Sequence, residues 1–302
     1  MKGKRPTSEQ LREYRAAYLM SAPVVLGTII FFLIPAIWSL WLSFTSGPDY
    51  STYEFVGFKN YVDLLTNDAN LKYELFNTFY YAIVVVVFSV GLGVLLANAL
   101  HQPIRGKGLF RVIYFLPSVT MAAAAGVVWR SMFNSQYGVI NQVLSVIGIT
   151  GPKWLSDPSF MMLAVIIVGI WKQTGHNMII LLAGLTNISP SYYEAADIDG
   201  ATKGQKLRYV TIPLLSPVLF FVTITSTLNA LKVFDVIYTL SGSGGTDERF
   251  MRYYRTMVYG IYEKGFQFSR IGAASAEAVL LLAIIMVITF IQFKTEKKWV
   301  HY

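Results

Sequence analysis

The chain has 302 residues, 54% of them apolar and only 14% charged, against ~25% charged in soluble domains, and its mean hydropathy is +0.49. This excludes a disordered chain, which needs low hydrophobicity and high charge, and an ordinary soluble enzyme. The net charge of +8 reads, in a membrane protein, as loops facing anionic lipid rather than as nucleic-acid binding, and the absence of cysteine excludes disulfides, thiolate metal sites and a cysteine nucleophile.

In chain order, a charged segment of residues 1–16 precedes the first apolar run, 16–48, which holds no Asp, Glu, Lys or Arg. That run is far longer than the 7–15-residue core of a signal peptide, so it is expected to remain as a span. Five more stretches approach the ~20 apolar residues that a membrane-crossing helix needs. They are 75–104, 112–129, 158–193 (interrupted by Lys172, with His176 close behind), 209–231, and 271–293, which contains Glu277. Residues 131–152 are uncharged but hold Asn134, Gln136, Asn141 and Gln142, with Val139, Ile140, Val143, Leu144, Val146 and Ile147 at helical spacing. They predict an amphipathic helix at the surface or between spans. The expected fold is an all-α membrane protein with about six transmembrane helices in residues 17–295, followed by a tail at 296–302.

Placing the N-terminus inside puts fourteen lysines and arginines on the inner side and ten on the outer, with Lys172 inside a span. The bias favours both termini in the cytoplasm. Within the outer connection after the fifth span, Arg249, Arg252 and Arg255 stand three apart. A helical turn there would show them on one face, solvated or available to an outside partner.

The connection between the fourth and fifth spans, residues 187–213, is legible residue by residue. Ser189 can cap a helix whose first position is Pro190, where a missing N–H costs little. Gly200 can take the left-handed conformation that ends that helix. A second helical stretch from about residue 201 to 210 carries Lys203, Lys206 and Arg208, and Pro213 and Pro217 stand at the start of the fifth span. The predicted loop is two short helices meeting at a glycine, with the small pair Ala195-Ala196 beside Glu194 as a surface suited to packing.

Glu194-Ala195-Ala196, three residues, Gly200, nine residues, then Val210-Thr211-Ile212-Pro213 resembles the signature of membrane subunits of binding-protein-dependent ABC importers. The family pattern closes with Ile, any residue, Leu and Pro, so Val210 and Ile212 are mild departures. Further pieces resemble the carbohydrate-type branch, the first permease subunit of maltooligosaccharide and glycerol-phosphate importers. These are Gly57-Phe58-Lys59-Asn60-Tyr61, Phe115-Leu116-Pro117, Trp171-Lys172, Ala183-Gly184-Leu185, Asp199-Gly200-Ala201, and Val233 to Tyr238 leading into Ser241-Gly242-Ser243-Gly244-Gly245. The family often ends that last run Gly-Gly-Gly-Pro; here Ser243 interrupts it and no proline follows.

The resemblance implies a multi-pass permease of a bacterial-type cytoplasmic (inner) membrane, importing a sugar. It implies a second permease subunit, two cytoplasmic ATPase subunits and an extracytoplasmic substrate-binding protein as partners, besides membrane lipid. Residues 187–213 would be the cytoplasmic coupling-helix loop, with Glu194, Ala195, Ala196, Asp199, Gly200 and Ala201 facing an ATPase groove. Glu194 would make polar contacts there, and Gly200 would permit the turn and the close approach. The chain has no Gly-x-x-x-x-Gly-Lys-Ser/Thr loop, so no cofactor is expected in it; ATP and magnesium belong to the partner ATPases.

Polar groups inside spans are expensive and are candidates for function. The fourth span offers Trp171, Lys172, Gln173, His176 and Asn177, with Gly175 loosening the helix. The fifth offers Thr225, Ser226, Thr227 and Asn229, and the sixth Gly272 and Ser275 beside Glu277. Sugars bind through neutral hydrogen-bonding groups and aromatic faces, so Trp171, Gln173, Asn177, Thr225, Asn229 and Ser275 are the expected substrate contacts. Hydrogen bonding between helices is the competing role for each. No catalytic residue is expected, and His176 has no second ligand at metal-binding spacing. An ion-coupled secondary transporter using a Glu277–Lys172 pair is the alternative reading, and an ABC permease for a non-sugar solute is another.

Overall fold

The computed structural model describes residues 7–47, 53–241 and 251–300. Gly242 to Gly245 and Arg249, singled out in the sequence, lie outside the described residues, as does the start of the N-terminal segment. The described residues are almost wholly helical, with one two-residue hairpin, β1 (Thr45–Ser46) against β2 (Glu54–Phe55).

Five helices are long and apolar enough to cross a membrane. The first runs over Arg12–Leu42 and comprises α1 (Ser8–Thr28), a π-turn at Ile29–Leu33, and α2 (Ile34–Leu42). After α3 (Lys59–Thr66) comes α4 (Leu71–His101), whose 31 residues extend about 46 Å. The expected third span, 112–129, is not one rod. It divides into α5 (Lys107–Val119) and α6 (Ala122–Met132), bent by 100°. The cause is local. Pro117 offers no N–H, the Ser118 and Thr120 hydroxyls donate back to Phe115 and Leu116 carbonyls, and Thr120 and Met121 take extended ψ angles. The bent pair is the sixth span if its two limbs are counted together.

The amphipathic segment contains the short helix α7 (Val139–Val146). Next, α8 (Pro158–Thr186) starts at an Asp157 cap, whose carboxylate accepts from Ser159 N–H at 2.9 Å, and stops at Thr186, short of the expected 193. Helices α9 (Pro190–Ile198) and α10 (Lys203–Lys206) form the following connection. A π-turn at Leu207–Thr211 carries α10 directly into α11 (Ile212–Leu231). The second loop helix is therefore the first turn of one continuous 29-residue helix, Lys203–Leu231, and not a separate surface piece. Helices α12 (Asp235–Leu240), α13 (Met257–Tyr262) and α14 (Ile271–Glu296) complete the chain.

The chain divides into two compact units, residues 1–67 with 264–279, and residues 68–263 with 280–302. In the smaller unit, Asn60 donates to the Ser43 and Thr45 carbonyls at 2.8 and 2.7 Å. A Cβ at Gly272 would collide with the same Thr45 carbonyl, so glycine permits that approach. In the larger unit α4, α8 and α11 pack together, α5 lies on α8 and α6 on α12. Their buried side chains form two apolar clusters, one around Val85, Val165 and Ile237, the other around Ala97, Met178 and Leu215. Between the clusters lies a polar layer. Asn177 donates to Ser89 Oγ at 3.2 Å and accepts from Ser226 Oγ at 3.1 Å, joining all three helices.

Arg255 is buried rather than part of a solvated arginine face. Its guanidinium lies 2.5 Å from both Glu74 Oε1 and Glu263 Oε2. Arg252 is exposed beside the Tyr73 ring, and the residues between it and Arg255 are a turn, so these two do not share a helical face.

Candidate functional sites: the loop between α8 and α11 and the cavity beside α8

The α9 loop is built by caps at every change of direction. Ser189 caps α9, accepting from Ser191 N–H at 3.4 Å, with Pro190 at the first position. At the other end Gly200 has φ +71°. Its N–H donates to Asp197 O at 3.0 Å, and Ala201 N–H donates to Ala196 O at 2.9 Å, the paired bonds of a Schellman motif. Thr202 then opens α10 with a reciprocal capping box to Gln205. Two side-chain ties hold α9 to the start of the next helix, a Lys206–Asp197 ion pair and a 3.2 Å contact of Tyr193 with Thr211.

The loop presents the residues read from the sequence. Glu194, Ala195, Asp199 and Gly200 are exposed, Ala196 and Ala201 partly so. No residue of α9 is buried, and Ile198, an isoleucine, is 88% exposed beside exposed Tyr192 and Tyr209. A Cβ at Gly200 would meet nothing within 4 Å. Within this chain the glycine serves the left-handed turn, not a close approach.

The second site is a cavity of about 410 Å³. One wall is α8, contributing Lys172, Gln173 and His176. Tyr81 of α4 and Ser118 of α5 face it, and Asn229, Lys232, Phe234 and Asp235 from the end of α11 and the start of α12 close it. Two glycines shape this wall. Gly169 lets the Tyr81 hydroxyl approach, and Gly175 admits the Tyr114 carbonyl of α5, either of which a Cβ would strike. Gly175 therefore seats α5 on a continuous α8; it does not loosen the helix. Phe234 stacks on Tyr238 with ring centroids 5.3 Å apart and packs at a tilt against Tyr262 at 4.9 Å, forming an aromatic edge.

A family profile described as the binding-protein-dependent transport system inner membrane component matches residues 89–300. The chain belongs to that family. This inner membrane component is 34% identical to the probable ABC transporter permease protein YesP of Bacillus subtilis (strain 168), over 95% of this chain and 92% of the relative. It is 33% identical to the sn-glycerol-3-phosphate transport system permease protein UgpA of Agrobacterium fabrum, over 94% and 96%. Its fold matches the crystal structure of a bacterial ABC transporter involved in the import of the acidic polysaccharide alginate. That match has a TM-score of 0.83 at 22% identity, covering 96% of this chain and 98% of that one. The protein is thus a multi-pass inner-membrane permease component and not itself an enzyme.

Of the substrate contacts expected in this permease component, Gln173 and Asn229 line the cavity. Gln173 also donates to Ser226 O at 3.2 Å. Trp171 packs edge-on against Trp129, centroids 5.4 Å apart. Asn177 is buried in the polar layer, and Thr225 donates to its own helix at Phe221 and Val222 carbonyls. Ser275 is buried in the smaller unit. Glu277 does not pair with Lys172. It is wholly buried and bonded to Lys264 at 2.7 Å, a lysine the span-centred reading left in a loop. Sequence reasoning missed Tyr81, Ser118, Lys232, Phe234 and Asp235. The run Val233 to Tyr238 was noticed as a motif, and that was the one signal pointing to this wall.

Proposed function

We propose that this permease is one half of the translocation pathway of an ATP-driven importer for a sugar or oligosaccharide. Its α9 loop docks on a cytoplasmic ATPase subunit, through Glu194, Ala195, Ala196, Asp199, Gly200 and Ala201. A second permease subunit completes the pathway, two ATPase subunits carry ATP and magnesium, and an extracytoplasmic binding protein delivers solute. Both termini lie in the cytoplasm. The observation that carries the reading is the α9 loop. It is fixed by caps at both ends, yet it leaves Ile198 and Tyr192 in the open, where an isolated chain gains nothing from them. Carbohydrate as solute is supported by a cavity that combines amide groups with an aromatic edge and by the solutes named for the relative and the solved structure above. The buried Lys264–Glu277 pair takes Glu277 out of the Glu277–Lys172 pair on which the ion-coupled alternative relied.

The test is copurification of tagged chain from native membranes beside an Ile198→Asp variant. Wild type is expected to bring down a second permease and an ATPase, and the variant to keep the permease and lose the ATPase. Recovery of the chain as a homomer, unchanged by the substitution, would end the proposal.

A further inference from the structure

Lys172 is the fifteenth of the 29 residues of α8, so about 21 Å of helix lies on either side of it. A side chain at that depth cannot reach either membrane surface, and an enclosed cation without a counter-charge is costly. Elsewhere the chain meets this cost with partners: Arg255 with Glu74 and Glu263, and Lys264 with Glu277. The cavity wall is different. Lys172, half-buried, and Lys232, exposed at the end of α11, both line it, and among the described residues neither forms an ion pair. Asp235, the one carboxylate on that wall among the described residues, pairs with neither lysine. His176 adds a third nitrogen base. Two lysines against one acid leave the wall cationic, and no described residue supplies the balancing anion.

We infer that the solute supplies it: the cavity takes a saccharide bearing an anionic group, a carboxylate or a phosphate ester, held by Lys172 and Lys232. Gln173 and Asn229 are placed for the sugar hydroxyls and Phe234 for the ring face. A volume of about 410 Å³ lies in the range of about 300–1,000 Å³ usual for ligand sites. The inference rests on the carbohydrate-permease reading and deepens it by fixing the charge class.

The test uses the complete importer in proteoliposomes with its binding protein. It is offered trigalacturonate beside its methyl ester, glucose 6-phosphate beside glucose, and maltotriose. Uptake of the charged member of one pair is expected, and which pair responds identifies carboxylate or phosphate. Lys172→Gln should raise KM for that solute about tenfold or more, the worth of a charge-assisted hydrogen bond. Lys172→Arg should recover most of it, and Lys232→Gln should act in the same direction. Uptake of maltotriose or of the neutral members, with KM unchanged in Lys172→Gln, overturns the charge assignment and leaves the carbohydrate reading standing. An anionic solute whose KM is unchanged in both lysine variants overturns the role of the lysines. Uptake of no saccharide of either kind overturns both readings.

Discussion

Arg255 shows what single residues contribute. It is 6% exposed and Glu74 is wholly buried, so the contact between these two is made away from water. Asn77 adds two 2.9 Å bonds to the Arg252 and Arg255 carbonyls, and Met257 N–H donates to Thr78 Oγ1 at 3.0 Å. Together they fasten the segment before α13 to the start of α4. Removing the arginine while keeping its shape takes the ionic partner from a wholly buried carboxylate. Arg255→Met is therefore expected to destabilise the protein by about 3–5 kcal/mol, read as a fall in the thermal midpoint of the detergent-purified chain; an unchanged midpoint would refute the clasp. None of this was legible in the sequence. The partner lies 181 positions away, and the regular arginine spacing suggested a helical face where the backbone turns instead.

At the scale of elements, the α9 loop and the bent α5–α6 pair make opposite cases. Every feature of the loop is decided within four or five residues: a serine before a proline, a glycine after the last turn, a threonine three before a glutamine. Local chemistry of that kind is readable from a string of letters. The bend is not, because an apolar window of 18 residues reports composition and is silent about direction. What decides it is extended backbone at Thr120 and Met121 and the seat of α6 on α12, which sequence spacing does not show. The open space around Gly200 makes its role separable. Asparagine tolerates φ +71°, whereas a β-branched residue bears roughly 1–2 kcal/mol or more of backbone strain. Gly200→Asn should keep ATPase recovery and transport near wild type and Gly200→Val should lose most of both, measured in membranes with equal amounts of chain. Equal loss in the two variants would assign the glycine to contact with the partner rather than to the turn.

For the whole molecule, the proposed arrangement fixes a side for every connection. Because the chain has no cysteine, single cysteines report this cleanly. A cysteine at Gln136 should react with a membrane-impermeant maleimide in intact cells, and cysteines at Gln102 or Ser191 only after lysis; the reverse pattern would invert the topology. The membrane class and five of the six spans were readable because hydropathy alone encodes them. The cavity was half readable: α8 and Asn229 announced themselves as polar groups in apolar runs, while Tyr81 and Ser118 arrive there only by the packing of α4 and α5 on α8. The continuous helix Lys203–Leu231 links that cavity to the loop. In the proposed importer it would act as a lever: Asn229 stands 26 residues from Lys203, roughly 39 Å along the axis. A tilt of about 5° imposed at the loop end would sweep Asn229 sideways by roughly 3–4 Å over that length, more than a hydrogen bond survives. In the proposed importer, a small stroke at the loop end would thus be geared up into release of whatever the far end holds.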